Sequence, residues 1–188
     1  MDSFDEGEET MSLLIEKDSR IPSEKRIVFL GDILDSKEIS AATQLSNFQQ
    51  LMKFIREHKD ICDIVLGNHD LSYIDPTLYQ CAGYDMHMMI DASTLFEDNK
   101  DLFSMAVEHD GYLFTHAGLS LTWLAKYNKE VTNLPIAEQI NMIYKHKSTA
   151  FSFYSNQGRY MSSTGNCVTQ SPVWIRPASL LLKPAHPF

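Results

Sequence analysis

Three short segments of the chain each join a glycine to side chains that ligate metals: Gly31-Asp-Ile-Leu-Asp35, Gly67-Asn-His-Asp70 and Thr115-His-Ala-Gly118. The donors they offer are a carboxylate (Asp32), a side-chain amide oxygen (Asn68) and two imidazoles (His69, His116). A mixed oxygen and nitrogen set suits Mn²⁺, Fe or Zn²⁺ better than Ca²⁺, which takes oxygen alone. Glycine, without a Cβ, lets the chain turn sharply and brings backbone close to a bound anion. Each element is common by itself. The three in this order, each directly after an apolar run, point to a metal centre.

Something must bring these segments together. The runs before them are Arg26-Ile-Val-Phe-Leu30, Ile61-Cys-Asp-Ile-Val-Leu66 and Tyr112-Leu-Phe114, rich in β-branched or aromatic residues, and each reads as a buried strand. Between the first two, Leu45, Phe48, Leu51, Met52 and Ile55 fall on one helix face. Strand, helix, strand is the rhythm of a parallel sheet, so the fold class is α/β. With the three runs as neighbouring parallel strands, Asp32, Asn68, His69 and His116 emerge at one sheet edge, where open α/β sheets bind ligands. The second crossover is expected to hold a turn near Asp75-Pro76 and a helix over 93–107. Further helices are expected over 121–126 and 136–145, and a polar loop over 152–172. His58, His87 and His146 have no ligand spacing and read as surface or packing residues; the nine methionines read as core filling.

The 188 residues are 44% hydrophobic and 22% charged, which fits one globular domain over 1–188, with an acidic segment at 1–24 and a core at 25–188. No apolar stretch is long enough for a membrane span, and the acidic residues after Met1 are unlike a secretory leader. Three unevenly spaced cysteines make neither a disulfide framework nor a metal knuckle, so a cytoplasmic location is expected. Of the net charge of −9, residues 1–24 carry −6; with no basic stripe, composition speaks against a nucleic-acid partner.

With GDILD, GNHD and THAG in this order, the chain resembles the calcineurin-like metallophosphoesterases, in particular the branch of Ser/Thr protein phosphatases and diadenosine tetraphosphatases. Ser171-Pro-Val-Trp-Ile-Arg-Pro177 is similar to a segment of bacterial and phage members. The resemblance implies a four-layer α/β/β/α sandwich with two divalent transition-metal ions, Mn²⁺ first and Fe or Zn²⁺ as alternatives, at the strand ends. It implies that Asp32 bridges the ions and that Asn68 ligates one of them and meets phosphate. His116 becomes a further ligand, and His69 the general acid, supported by Asp70. Arg176 becomes a phosphate-binding or a structural arginine, and Asp35 orients its loop. Two such ions would activate a bridging water and hold the phosphoryl oxygens of a phosphorylated protein or small molecule.

Two family motifs have no counterpart: a D-x-H upstream of Gly31, and a terminal G-H-T or G-H-x-H. The resemblance therefore implies an incomplete sandwich without its first and last strands. One half-site keeps Asp32, Asn68 and His116, and the other keeps only Asp32, where a catalytic ion usually takes three protein ligands. His109-Asp110, Asp2 and Asp5 carry suitable atoms to substitute. Two functions compete: a metal-dependent phosphoesterase, and a catalytically inactive phosphatase-like remnant or binding module. An unpaired sheet edge would also offer a surface for self-association.

Overall fold

The computed structural model describes residues 26–77, 79, 81–129, 133–153 and 167–181. The acidic segment 1–24, most of the expected loop 152–172 and the places of the first and last family strands lie outside the described residues.

The first two apolar runs form β1 (Ile27–Phe29) and β2 (Cys62–Val65), parallel, with Ile27 opposite Cys62 and Phe29 opposite Ile64. Parallel neighbours need a crossover, and α1 (Ala41–Glu57) supplies it. The helix starts at Ser40, whose Oγ accepts from the Thr43 N–H at 3.2 Å, satisfying a donor that has no partner within the helix. Phe48, Met52 and Ile55 follow at helical spacing and lie in the core, each burial stabilising the fold by about 1.5–3 kcal/mol. Gln44, also buried, reaches back along the chain. It accepts from Ser36 N–H (2.9 Å) and donates to the carbonyls of Ser36 and Ile39 (3.1 and 2.8 Å), fixing the loop that carries Asp32 and Asp35.

The third parallel strand is not the expected one. α2 (Asn68–Ile74) and α3 (Met89–Asp98) fill the second crossover, and β3 (Phe103–Ser104) then pairs with β2, giving the order β1-β2-β3. The expected helix over 93–107 ends instead at Asp98. There the Arg56 guanidinium donates to Asn99 Oδ1 and the Asp98 carbonyl, both at 3.1 Å, and pairs with Asp101 at 3.0 Å. The chain beyond turns inward to bury Leu102, Met105 and Ala106.

The run Tyr112–Phe114 is β5, paired antiparallel with β4 (Val107–His109) in a two-stranded sheet of its own. Asp110 and Gly111 between them have φ of +50° and +80°, the two left-handed residues that let a short hairpin follow the strands' twist. His116 is thus delivered by a hairpin, not by a third parallel strand. Asn141, on α5 (Ile136–His146), ties the two sheets together: its Oδ1 accepts from the Met105 and Ala106 amides (2.8 and 3.2 Å), and its Nδ2 donates to the Ala106 carbonyl (2.9 Å). On α4 (Leu121–Tyr127), fully buried Trp123 donates to the Ala150 carbonyl at 3.1 Å and meets the Phe151 ring edge-on. A last short helix, α6, spans Pro177–Leu180. The architecture is mixed α/β, in keeping with the calcineurin-like fold. Among the described residues no helix is long and apolar enough to cross a membrane.

Candidate active site

The loops after β1 and β2 touch backbone to backbone. A Cβ on Gly31 would lie 2.3 Å from Gly67 N, and one on Gly67 would lie 2.2 Å from Asp32 Oδ1, so neither position has room for a side chain. Gly31 and Asp32 both sit in the left-handed region, with φ of +82° and +56°, and Asp35 follows at +71°. Non-glycine residues adopt this conformation only where the surroundings over-determine it. Here the surroundings are Asp70, fully buried in the first turn of α2. Its Oδ2 accepts from the amides of Asp32 (2.9 Å) and Gly67 (2.8 Å), and its Oδ1 from Ile33 N–H (2.9 Å). One carboxylate thereby ties the two loops together. Burial pushes its pKa up, against the three amides that favour its charge.

Asp32, with a third of its side chain exposed, faces both histidines. Its Oδ1 accepts from the His69 backbone N–H at 3.1 Å, and its Oδ2 lies 3.3 Å from His116 Nε2. Desolvation raises its pKa, but the hydrogen bond and charge of His116 and the His69 amide outweigh it, and the carboxyl ends below its usual range. The other ring nitrogen of His116, Nδ1, is 2.5 Å from the Leu30 carbonyl. A carbonyl only accepts, so Nδ1 carries the hydrogen and Nε2 carries a lone pair towards Asp32. Two acceptors then face each other unless a cation stands between them. A proton fills that place when His116 is charged: desolvation disfavours that form, but the Asp32 carboxylate and the Leu30 carbonyl favour it more, so the His116 pKa is raised. An N–H donated to a backbone carbonyl, with the second nitrogen aimed into a site, is also how metal-ligating histidines are held.

Asn68, first residue of α2, donates from Nδ2 to Cys81 Sγ at 3.1 Å, which leaves its amide oxygen for a ligand. His69 Nδ1 is 2.8 Å from Asp35 Oδ2. The carboxylate on the His69 ring is therefore Asp35, where the sequence pointed to Asp70; Asp70 faces away to the loop amides and acts on His69 only through its charge. The Asp35 hydrogen bond raises the His69 pKa; desolvation opposes it, and Asp32 and Asp70 reinforce it.

The segment 171–177 docks on the third motif. Ala117 N–H donates to the Pro172 carbonyl at 2.8 Å, and Gly118, at φ +113°, leaves only the space that Leu180 fills. Arg176 caps α6, is exposed, and makes no side-chain hydrogen bond or ion pair with Asp32, Asn68, His69 or His116. The expected substitute His109 is taken up by Asp63 at 2.7 Å, away from the site, and Asp2 and Asp5 lie outside the described residues. His58 stacks on Phe54 at the end of α1. Sequence reasoning missed the partners of His69 and Asn68: Asp35 in its ring-holding role, and Cys81. The D-x-x-D spacing of Asp32 and Asp35 was the available signal for the first.

A metal centre requires donors. Among the described residues no three His, Cys, Asp or Glu side chains are grouped to hold an ion. Asp32 and His116 are paired at 3.3 Å, and Asn68 opens α2 one residue before His69, whose amide binds Asp32. Neither a curated protein nor a solved structure matched the chain. The family model for calcineurin-like phosphoesterases matches residues 5–167, which takes in all three motif loops. The left-handed aspartate turn, the GNHD helix start and the histidine after the hairpin are thus parts of one recognised domain, and the chain belongs to the calcineurin-like phosphoesterase family.

Proposed function

We propose that the chain hydrolyses phosphate esters with a divalent metal ion, Mn²⁺ first among the candidates, seated on Asp32, Asn68 and His116. The observation that carries this reading is the Asp32–His116 pair, two acceptors at 3.3 Å with the second imidazole nitrogen already spent on the Leu30 carbonyl. When bound, the ion supplies Lewis acidity for the phosphoryl oxygens and for an attacking water. The chain's own groups do the rest. His69 gives a proton from Nε2 to the leaving oxygen, and Asp35 on Nδ1 stabilises the imidazolium before that transfer. Asn68 meets the phosphate as well as the ion. Arg176, exposed at the start of α6, is free to swing to a phosphate as a two-pronged donor. Asp70 keeps the two loops in register.

The competing reading, a non-catalytic phosphatase-like module, draws on the same residues: among the described residues no three His, Cys, Asp or Glu side chains are grouped to hold an ion. Hydrolysis of p-nitrophenyl phosphate with added Mn²⁺ separates the two. Turnover in the full chain that falls by about a hundredfold or more in Asp32→Asn supports the enzyme. A folded sample without turnover supports the module.

A further inference from the structure

His69 and Tyr73 are four residues apart on α2 and share a helix face, so whatever Tyr73 holds lies beside His69. Tyr73 is fully buried, and its hydroxyl donates to Asp35 Oδ1 while Asp35 Oδ2 binds His69 Nδ1 at 2.8 Å. The Tyr73 oxygen itself accepts from the Asp85 N–H at 3.1 Å, and the ring packs on Tyr84 at 4.9 Å. Gly83, in the same segment, passes 3.6 Å from the Asp35 side chain when its missing Cβ is counted, and the Asp35 side chain is 1% exposed.

These contacts form a chain with one direction: Asp85 N–H to Tyr73 oxygen, Tyr73 O–H to Asp35, Asp35 to the His69 ring. With its lone pair engaged by Asp85, the hydroxyl points its hydrogen at Asp35. Burial and the Asp35 contact push the Tyr73 hydroxyl far above its usual range, so it remains a donor at any working pH. Without that donor, Asp35 Oδ1 becomes a buried acceptor with no partner, and the carboxylate rotates or admits water.

We infer that Tyr73 is a positioning residue for the proton-transferring histidine: its hydroxyl fixes Asp35, and Asp35 then locks the His69 ring in one tautomer with Nε2 presented to the leaving group. This rests on the reading of His69 as the acid. The test is Tyr73→Phe in the full chain, assayed with Mn²⁺ on phenyl phosphate and on p-nitrophenyl phosphate. Imidazole NMR of His69 in the metal-free chain, recorded at alkaline pH where the ring is neutral, accompanies it. KM is expected to hold. On phenyl phosphate kcat falls about tenfold, part of the hundredfold or more that a positioned acid contributes. On p-nitrophenyl phosphate, whose leaving anion needs little protonation, it falls about twofold or less. The His69 ring goes from a single Nδ1–H tautomer to a mixture.

Equal losses on both esters with an unchanged His69 ring signal overturn the inference, because Tyr73 then only fills space. A wild-type ring that already exchanges between tautomers overturns it without any variant, which covers a Tyr73→Phe chain that does not fold. If the chain turns over neither ester, or His69→Asn leaves phenyl phosphate hydrolysis intact, the acid assignment fails. The NMR result then still decides whether Tyr73 fixes the ring.

Discussion

Carboxylate–histidine pairs occur near the start of β2 and just beyond its end, and they differ in what balances their charge. Asp63 accepts from His109 Nε2 at 2.7 Å and from the Arg26 guanidinium at 3.1 Å. A permanent cation neutralises it, and the cluster braces β2 against β4. At the other end Asp32, Asp35 and Asp70 lie within one pair of loops, and no lysine or arginine among the described residues pairs with any of them. Their partners are backbone amides, a tyrosine hydroxyl and two histidines. The same two residue types therefore make a self-sufficient strut in one place and, in the other, a cluster without a permanent cation, which the proposed function reads as a seat for a metal ion. A missing guanidinium marks the site more clearly than the histidines do.

The largest effect expected from breaking this contrast is at Asp70. Asp70→Ala leaves the amides of Asp32, Ile33 and Gly67 without their acceptor, and urea unfolding should show a loss of about 3 kcal/mol. Turnover should vanish with it, since among the described residues no other carboxylate accepts from the amides of Asp32 and Ile33. A loss under about 1 kcal/mol, typical of an exposed position, would show that the loops hold their shape without Asp70.

A smaller effect is the pH dependence of the metal-free chain. The His69 and His116 pKa values are raised on folding, so their contribution is fully present below the unfolded histidine pKa of about 6.5 and is lost as pH rises through the folded values. Thermal stability without metal should therefore decline with rising pH across that window, and His116→Asn should flatten the decline. Mn²⁺ should reverse the trend, because ion and proton compete for His116 Nε2 and the ion gains affinity as the proton leaves. A metal-free melting temperature that rises over the same window would contradict the raised pKa values.

The smallest effect belongs to the strut. Asp63→Asn keeps one oxygen for Arg26, so its cost in chemical denaturation should stay near or below about 1 kcal/mol, and p-nitrophenyl phosphate turnover should be untouched. A strong effect on turnover would mean that the two clusters are coupled.

Much of this arrangement could be read from residue order. The apolar runs before Gly31 and Gly67 are β1 and β2 in parallel, and the Leu45 to Ile55 spacing is α1. β3 escaped notice because two residues, Phe103 and Ser104, are too short for any period to register and sit against a helical pattern. The hairpin had a strong signal in Asp110-Gly111, but the histidine after Phe114 invited a parallel strand instead. Within the site, the placing of Asp32 beside the His69 amide and His116 followed from motif order. Which carboxylate holds the His69 ring did not. That depends on the left-handed φ of Asp35 and on Tyr73 one helical turn past His69, both products of packing between distant segments. The D-x-x-D spacing marked Asp35 as a candidate for that task, but Asp70, next to His69 in the chain, stood as the nearer one.

The central claim is that Asp32 and His116 form a cation seat, and Mn²⁺ titration of the full chain by calorimetry tests it most directly. The account predicts saturable binding of one ion with release of a proton near neutral pH, lost in Asp32→Asn and in His116→Asn but kept in Asp63→Asn. Equal Mn²⁺ binding by the wild type and Asp32→Asn would contradict it, as would no binding at all by a folded wild-type sample.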